Sequence, residues 1–362
     1  MQTIFLFFVA LAFVLFGGNQ PQPVMPALPS PVPTTPTPVP ASPSPVPTSA
    51  AGASLVLPAS DFGRIVIEGS TRRVFVSSPG SNQIVVLDFD GNLVGEIKGE
   101  AGADAMVVDG TTLDVTLRSA GKIDEIDTRS LRRIKTLASG LINPNDLVMA
   151  GGRLWSASGN CGSGSVQLAR IDPASGAVML FPAPGDMSYC AAFAPVSVKR
   201  PNLIIGWSLG LSPATVTALD VSTGKPVVLT SAREDLLGNL QDVAITPDGN
   251  SWIAASGAPY NFPEFSVSSL AQDGIVYPAQ YYPAAVAVTG ARGGLVVGGL
   301  DNQSSTNLYE YAIGAPEQSL RTDSNGSGVA ARGLAFSPDG SRIFAVSWDH
   351  SATVTVRVLL AG

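Results

Sequence analysis

Short apolar runs, each followed by a tight polar turn and a second apolar run, recur along most of this chain. The clearest copies are residues 245–253 (ITPDGNSWI) and 336–344 (FSPDGSRIF). In such turns Pro presets φ and Gly accepts a positive φ. The last apolar residues before the seven turns are Ile67, Val108, Met149, Phe193, Ile245, Val288 and Phe336, spaced by 41, 41, 44, 52, 43 and 48 residues. This period of short strands predicts a β-propeller.

Each repeat divides into four strands, and the third strand often ends in an aliphatic residue followed by Asp. These aspartates can accept hydrogen bonds from their own turn amides, so we interpret them as structural: Asp88, Asp127, Asp172 and Asp220. The last repeat stops after its third strand, and residues 54–58 (SLVLP) resemble an outer strand. We therefore predict an all-β fold, a seven-bladed β-propeller over residues 53–362, with the N-terminal strand closing the last blade.

The first 52 residues differ in kind from the repeats. Residues 4–16 are an unbroken apolar run, too short for a spanning helix of about 20 residues. We interpret residues 1–18 as a signal peptide, with a short N-terminal membrane anchor as the alternative. Residues 19–52 form a Pro/Ser/Thr-rich tract with twelve prolines between 20 and 49, which predicts a disordered linker. The expected location is extracytoplasmic, either secreted or tethered to the outer face of the cell membrane.

The net charge and the cysteine content restrict the possible partners and the cellular compartment. The chain carries 21 basic and 28 acidic residues, a net charge of −7, which argues against nucleic acid or an anionic membrane surface as partner. We expect a monomer. The two cysteines, Cys161 and Cys190, fall in loops on the same face of adjacent blades, which predicts a disulfide in an exported chain. Two separate buried thiols are the alternative.

The repeats resemble those of the YVTN and NHL-like propeller superfamily. The residues that carry the resemblance are 337–347 (SPDGSRIFAVS) and the segment LDVSTG that ends at Gly224. The resemblance covers about residues 53–362 and implies a seven-bladed propeller. It says little about activity, because such propellers include binding proteins, lactonases and cofactor enzymes. The Tyr-Val-Thr-Asn strand itself does not occur in this chain.

In a propeller, the residues just before the first strands surround one mouth of the central channel. Polar groups from distant parts of the chain converge there, which makes this mouth the default ligand site. The predicted mouth residues are Arg64, Asp104, Asn145, Asp146, Tyr189, Gln241, Asp242 and Arg332.

The sequence is compatible with two different arrangements of these residues. Asp104, Asn145, Asp146 and Asp242 supply oxygen atoms suited to Ca²⁺, and gluconolactonase-type propellers use similar carboxylate and amide oxygens at such a mouth. Alternatively, the two arginines pair with these acids in a solvated salt-bridge ring.

No catalytic motif in the sequence names a reaction. The only histidine is His350, so a histidine-based catalytic triad would depend wholly on that one residue. We therefore predict an exported, non-enzymatic binding or scaffold module that binds a protein, a glycan or a small ligand through loops at the channel mouth. The alternative is a Ca²⁺-dependent hydrolase of the lactonase type.

Overall fold

The computed structural model describes residues 52–233, 237–258, 260–301, 307–317, 319, 321–323, 328–349 and 353–362. Within these residues, strands form seven four-stranded antiparallel sheets arranged in a ring, which confirms the predicted seven-bladed propeller. The strands of blades 1 to 3, from the channel outward, are β2 Ile65–Glu68, β3 Arg73–Ser78, β4 Gln83–Asp88, β5 Leu93–Lys98; β6 Ala103–Asp109, β7 Thr112–Leu117, β8 Lys122–Asp127, β9 Arg132–Ser139; and β10 Pro144–Ala150, β11 Arg153–Ser158, β12 Gln167–Ile171, β13 Val178–Pro182.

The remaining blades follow the same order. Their strands are β14 Ala191–Phe193, β15 Leu203–Ser208, β16 Thr215–Asp220, β17 Val227–Arg233; β18 Gly238–Ile245, β19 Ser251–Ala258, β20 Asn261–Ser266, β21 Gln272–Pro278; β22 Pro283–Thr289, β23 Leu295–Leu300, β24 Leu308–Ala312, β25 Arg321–Asp323; and, for blade 7, β26 Leu334–Phe336, β27 Arg342–Trp348, β28 Val354–Leu360 and β1 Ala53–Val56. Short 3₁₀ helices lie at Arg118–Ala120, Gly185–Ser188 and Ala291–Gly293.

The N-terminal strand closes the ring as predicted. Strand β1 pairs antiparallel with β28, from Ala53 opposite Val358 to Val56 opposite Thr355. The NH group of Leu57 then donates to the carbonyl of Val354 at 2.8 Å, and the Leu57 side chain is buried. This pairing covers the edge of β28, which is the kind of exposed edge that promotes aggregation.

The hydrophobic core lies between neighbouring sheets. Trp155, Trp207 and Trp252 occupy second strands, and all three side chains are fully buried. One apolar cluster joins Trp207 of blade 4 to Trp252 and Phe265 of blade 5, where the Trp252 and Phe265 rings stack at 4.2 Å. The tryptophans therefore hold blades together, as their repeated position in second strands predicts.

The propeller has two faces. The inner strands begin at one face, which we call the loop face. They end in tight turns at the opposite face, which we call the turn face. The third-strand aspartates accept hydrogen bonds from nearby turn amides: Asn92 NH to Asp88, Ser130 NH to Asp127, Ser175 NH to Asp172 and Ser222 NH to Asp220. Asp248 and Asp339 do the same in the two Pro-Asp-Gly turns. These aspartates are structural, as predicted.

Some predictions fall on parts of the chain that lie outside the described residues. These are the signal peptide or anchor of residues 1–18, the linker up to residue 51, and His350. In the described segments, no helix combines the length and the apolar character that crossing a membrane requires.

Candidate functional site

A buried carboxylate, Asp146, binds two arginines where the channel meets the loop face. Its Oδ1 accepts a hydrogen bond from Arg64 Nη2 at 2.6 Å, and its Oδ2 accepts one from Arg332 Nη1 at 2.9 Å. The main-chain NH groups of Leu147 and Phe193 donate to the same carboxylate at 2.9 and 2.7 Å. Burial alone would raise the pKa of Asp146, but the two guanidinium groups outweigh it and hold that pKa below its ordinary value. Both carboxylate oxygens are therefore fully engaged.

Bulges in two inner strands determine which way the aspartate side chains of this cluster point. The pairing register slips by one residue at Asn145 in blade 3 and at Gln241 in blade 5. A bulge re-aims the side chains beside it. Asp146 and Asp242 are consequently buried, whereas Asn145 and Gln241 stay half-exposed.

Asp242 extends the cluster to blades 5 and 6. Its Oδ1 accepts a hydrogen bond from the Val243 NH at 2.9 Å, and its Oδ2 accepts one from the Val286 NH at 3.0 Å. Arg332 Nε lies 3.8 Å from Asp242 Oδ1, and the guanidinium lies over the Trp207 ring at 5.2 Å. Burial raises the pKa of Asp242 to about 6, although Arg332 opposes that shift.

Asp104 forms a neighbouring pair with an arginine from a different loop. Arg118 Nη1 donates to Asp104 Oδ2 at 3.1 Å, and Arg118 Nε donates to Asn143 Oδ1 at 3.1 Å. Gly63 permits this arrangement, because a Cβ there would lie 2.7 Å from Asp104 Oδ1. Burial raises the pKa of Asp104, while Arg118 and Arg64 oppose the shift.

The predicted disulfide is present on the loop face. Cys161 and Cys190 are bonded, with their Cα atoms 4.5 Å apart. Asn145 Nδ2 donates to Cys161 Sγ at 3.1 Å, so this amide faces the disulfide. Tyr189, next to Cys190, is 39% exposed on the same face. A disulfide is typical of proteins in oxidising compartments.

Five of the eight predicted mouth residues thus converge at the channel, and the other three lie elsewhere on the loop face. Those that converge are Arg64, Asp104, Asp146, Asp242 and Arg332. Asn145 and Tyr189 belong to the disulfide region, and Gln241 donates to Asn239 Oδ1 at 2.7 Å. The acids and arginines pair as the salt-bridge alternative predicts, but they are buried rather than solvated, since Asp146 is 1% and Arg332 12% exposed.

The proposed metal ligands do not form an oxygen-rich pocket. Asp146 and Asp104 each bind a guanidinium, and the Asn145 amide lies at the disulfide. Across the described ranges, no group of three or more Asp, Glu, His or Cys residues is arranged to hold a metal ion. The geometry of these donors gives the calcium hypothesis no support.

The loop face carries a patch of three tyrosines that the sequence analysis did not predict. Tyr260 follows the second strand of blade 5, and Tyr281 and Tyr282 immediately precede β22. The Tyr260 ring makes edge contacts with both other rings at 5.5 Å. The three side chains are 38%, 60% and 52% exposed. The predicted mouth residues lie three or four positions before the last apolar residue of each repeat, which in blade 6 gives Ala284 and Ala285. The alignment that found the other mouth residues therefore does not reach Tyr281 and Tyr282.

The central channel itself is an apolar cavity of about 650 Å³ lined by the inner strands of all seven blades. Half-buried side chains from six blades contribute to its wall: Ile67, Val108, Met149, Val196, Val288 and Phe336. The sequence prediction named one mouth of this channel and did not consider its interior.

Comparison with solved structures shows the fold. Hydrazine synthase of Kuenenia stuttgartiensis is similar with a TM-score of 0.66 at 14% identity, over 84% of this chain and 97% of that chain. The β-propeller domain of Cps50 (Swd1) from Myceliophteria thermophila is similar with a TM-score of 0.64 at 10% identity, over 85% and 98%. No family model and no curated protein matches the chain. Membership of the YVTN and NHL-like superfamily therefore stays a prediction.

Proposed function

We propose that this chain is an exported, non-enzymatic binding module that contacts a protein or glycan through its loop face. The observation that carries the proposal is the exposed patch of Tyr260, Tyr281 and Tyr282. Tyrosine offers a large, rigid contact area and a polar hydroxyl, and it is enriched where proteins bind partners.

The rest of the loop face supports binding better than catalysis. The nearby Asp146 carboxylate is occupied by two guanidinium groups and two main-chain NH groups, so no free base is available on it. The Cys161–Cys190 disulfide ties two loops of this face together. Rigid loops reduce the entropy that is lost on binding. A Ca²⁺-dependent lactonase is the alternative, and calcium addition tests it.

The test compares two triple variants of the chain. In one, Tyr260, Tyr281 and Tyr282 are replaced by Ser; in the other, the exposed outer-strand residues Leu93, Met179 and Leu229 are replaced by Ser. Labelled protein is mixed with cell envelopes of the producing organism, and the bound fraction is measured after sedimentation. We expect the tyrosine variant to lose most of the binding and the control variant to keep it.

Treating the envelopes first distinguishes the partner classes. Loss of binding after protease treatment identifies a protein partner, and loss after enzymatic removal of glycans identifies a glycan. Equal binding by the two triple variants would refute the loop-face proposal.

A further inference from the structure

The central channel combines an apolar wall with a polar base. Among the described residues that line it, the charged ones are Arg64, Asp242 and Arg332, and all three lie at the loop-face end. The wall toward the turn face is built mainly from aliphatic side chains, Met149 and Phe336, and the hydroxyl residues Ser197, Thr246 and Thr289 line its outer end. A cavity of about 650 Å³ with such a lining has the size and character of a small-molecule site.

The two ends of the channel differ in access. At the loop-face end, Arg64 and Arg332 expose only 14% and 12% of their side chains, because they are packed in the ion cluster. The turn-face end is bordered by Pro195, Val198 and Gly290, and Val198 is 87% exposed. A ligand would therefore enter from the turn face and meet the polar base last.

The polar base carries guanidinium donors from two arginines. Arg64 and Arg332 both line the loop-face end of the cavity, and 14% and 12% of their side chains stay exposed. Arg332 Nε itself is sealed from solvent and lies 3.8 Å from Asp242 Oδ1, so a ligand would reach the exposed parts of the two guanidinium groups. A largely buried donor gains from an acceptor that a ligand brings. The cluster pairs two arginines with Asp146 and Asp242, so its formal charges balance. An anionic ligand would face these two acids and a cationic ligand the two arginines, whereas an uncharged oxygen acceptor meets neither repulsion.

We propose that the central channel binds an uncharged, mainly apolar small molecule that enters from the turn face with a carbonyl or ether oxygen at its leading end. This site is separate from the loop-face tyrosines, and it does not depend on the proposed function. The acceptor would bind the exposed parts of the Arg64 and Arg332 guanidinium groups, and the hydrocarbon part would displace water from the apolar wall.

The test uses an uncharged fluorescent ketone, 6-propionyl-2-(dimethylamino)naphthalene, with the full chain. A Val198→Cys variant is labelled after folding with a polyethylene glycol maleimide, which obstructs the turn-face opening without altering the core. The matched control is a Leu229→Cys variant labelled in the same way, since Leu229 is exposed on the outer strand of blade 4. Titration of the fluorescence gives the dissociation constant of each protein.

We expect saturable binding to one site, weakened at least about tenfold by the label at position 198 and unchanged by the label at 229. The same dye with a propyl group in place of the propionyl group should bind about tenfold more weakly, because it offers the two guanidinium groups no acceptor. Absence of saturable binding, or equal affinity in the two labelled variants, would overturn the channel site. Equal affinity for the two dyes would overturn the role of the two arginines.

Discussion

Arg332 and Asp146 are 186 residues apart in the chain, and their side chains form a 2.9 Å ion pair across the start of the central channel. The same arginine donates through Nη2 to the Phe193 carbonyl at 2.7 Å. Arg332 thus connects blade 7 to blades 3 and 4, while Arg64 connects blade 1 to the same Asp146. The ion cluster therefore braces the ring from the inside.

Removing the carboxylate at the centre of this brace should destabilise the propeller strongly. Asp146→Ala removes the carboxylate that the buried Arg64 and Arg332 guanidinium groups share, and we expect a loss of about 3–5 kcal/mol in the free energy of unfolding. The control is Asp90→Ala, which breaks an ion pair with Arg342 whose acid is 65% exposed, and which should cost less than about 1 kcal/mol. Urea denaturation followed by tryptophan fluorescence measures both. Similar losses in the two variants would contradict the bracing role.

Calcium should leave the stability of the protein unchanged. The carboxylates at the loop-face mouth are held by arginines and main-chain NH groups, so a cation would have to break these contacts before binding. We expect the same melting temperature with millimolar Ca²⁺, with a chelator, and with neither. A rise in melting temperature with Ca²⁺ that is absent in Asp242→Asn would instead favour the lactonase alternative.

Stability should fall as the pH rises through the titration of Asp114. This side chain is buried opposite Glu125 on the adjacent strand, and its Oδ1 accepts no hydrogen bond from the described residues. Burial, followed by the charge of Glu125, raises the pKa of Asp114 to about 7. A carboxyl with a raised folded-state pKa stabilises the fold while it is protonated, and that contribution is lost between about pH 4 and 7.

The Asp114→Asn substitution should remove this dependence of the free energy of unfolding on pH. We expect the variant to be more stable than the parent by about 1–3 kcal/mol at pH 8 and to show no such gain at pH 4. The control is Glu317→Gln, at an exposed position in blade 6 that is not among the charges acting on Asp114. Urea denaturation at both pH values supplies the comparison, and an equal effect of Asp114→Asn at the two pH values would speak against the buried acid as the cause.

The borrowed outer strand of blade 7 should be required for full stability. A variant that starts at residue 59 lacks β1 and the buried Leu57, and it exposes the edge of β28. We expect a lower melting temperature and concentration-dependent aggregation relative to a variant that starts at residue 52. Identical melting and light scattering of the two would show that the strand does not support the ring.

The sequence predicted the fold because the information was local and repeated. A tight turn determines where one strand ends and the next begins, and seven strand-turn-strand units at a regular spacing, two of them with Pro-Asp-Gly turns, leave few alternatives to a propeller. The missing outer strand was found for the same reason, since a blade needs a fourth strand and only residues 54–58 offered one. Cys161 and Cys190 could be paired from the topology alone.

The candidate site was only partly predictable. Arg64, Asp104, Asp146, Asp242 and Arg332 were named correctly as neighbours, because inner strands must begin around the same axis. Their partners were not, because Arg118 comes from a loop between second and third strands. Nor could the sequence decide between Asn145 and Asp146, since the bulge that turns one outward and the other inward depends on pairing with β11.

The amino-acid sequence by itself determined the number of blades, their turns, the closing strand and the set of residues around the axis, because these follow from short-range patterns and their period. The tertiary structure alone decided that the acids bind arginines, that three tyrosines from two loops form one exposed patch, and that the channel is apolar with a polar base. These features arise from side chains that are distant in the chain, and their energies depend on burial and on partners that no local pattern specifies.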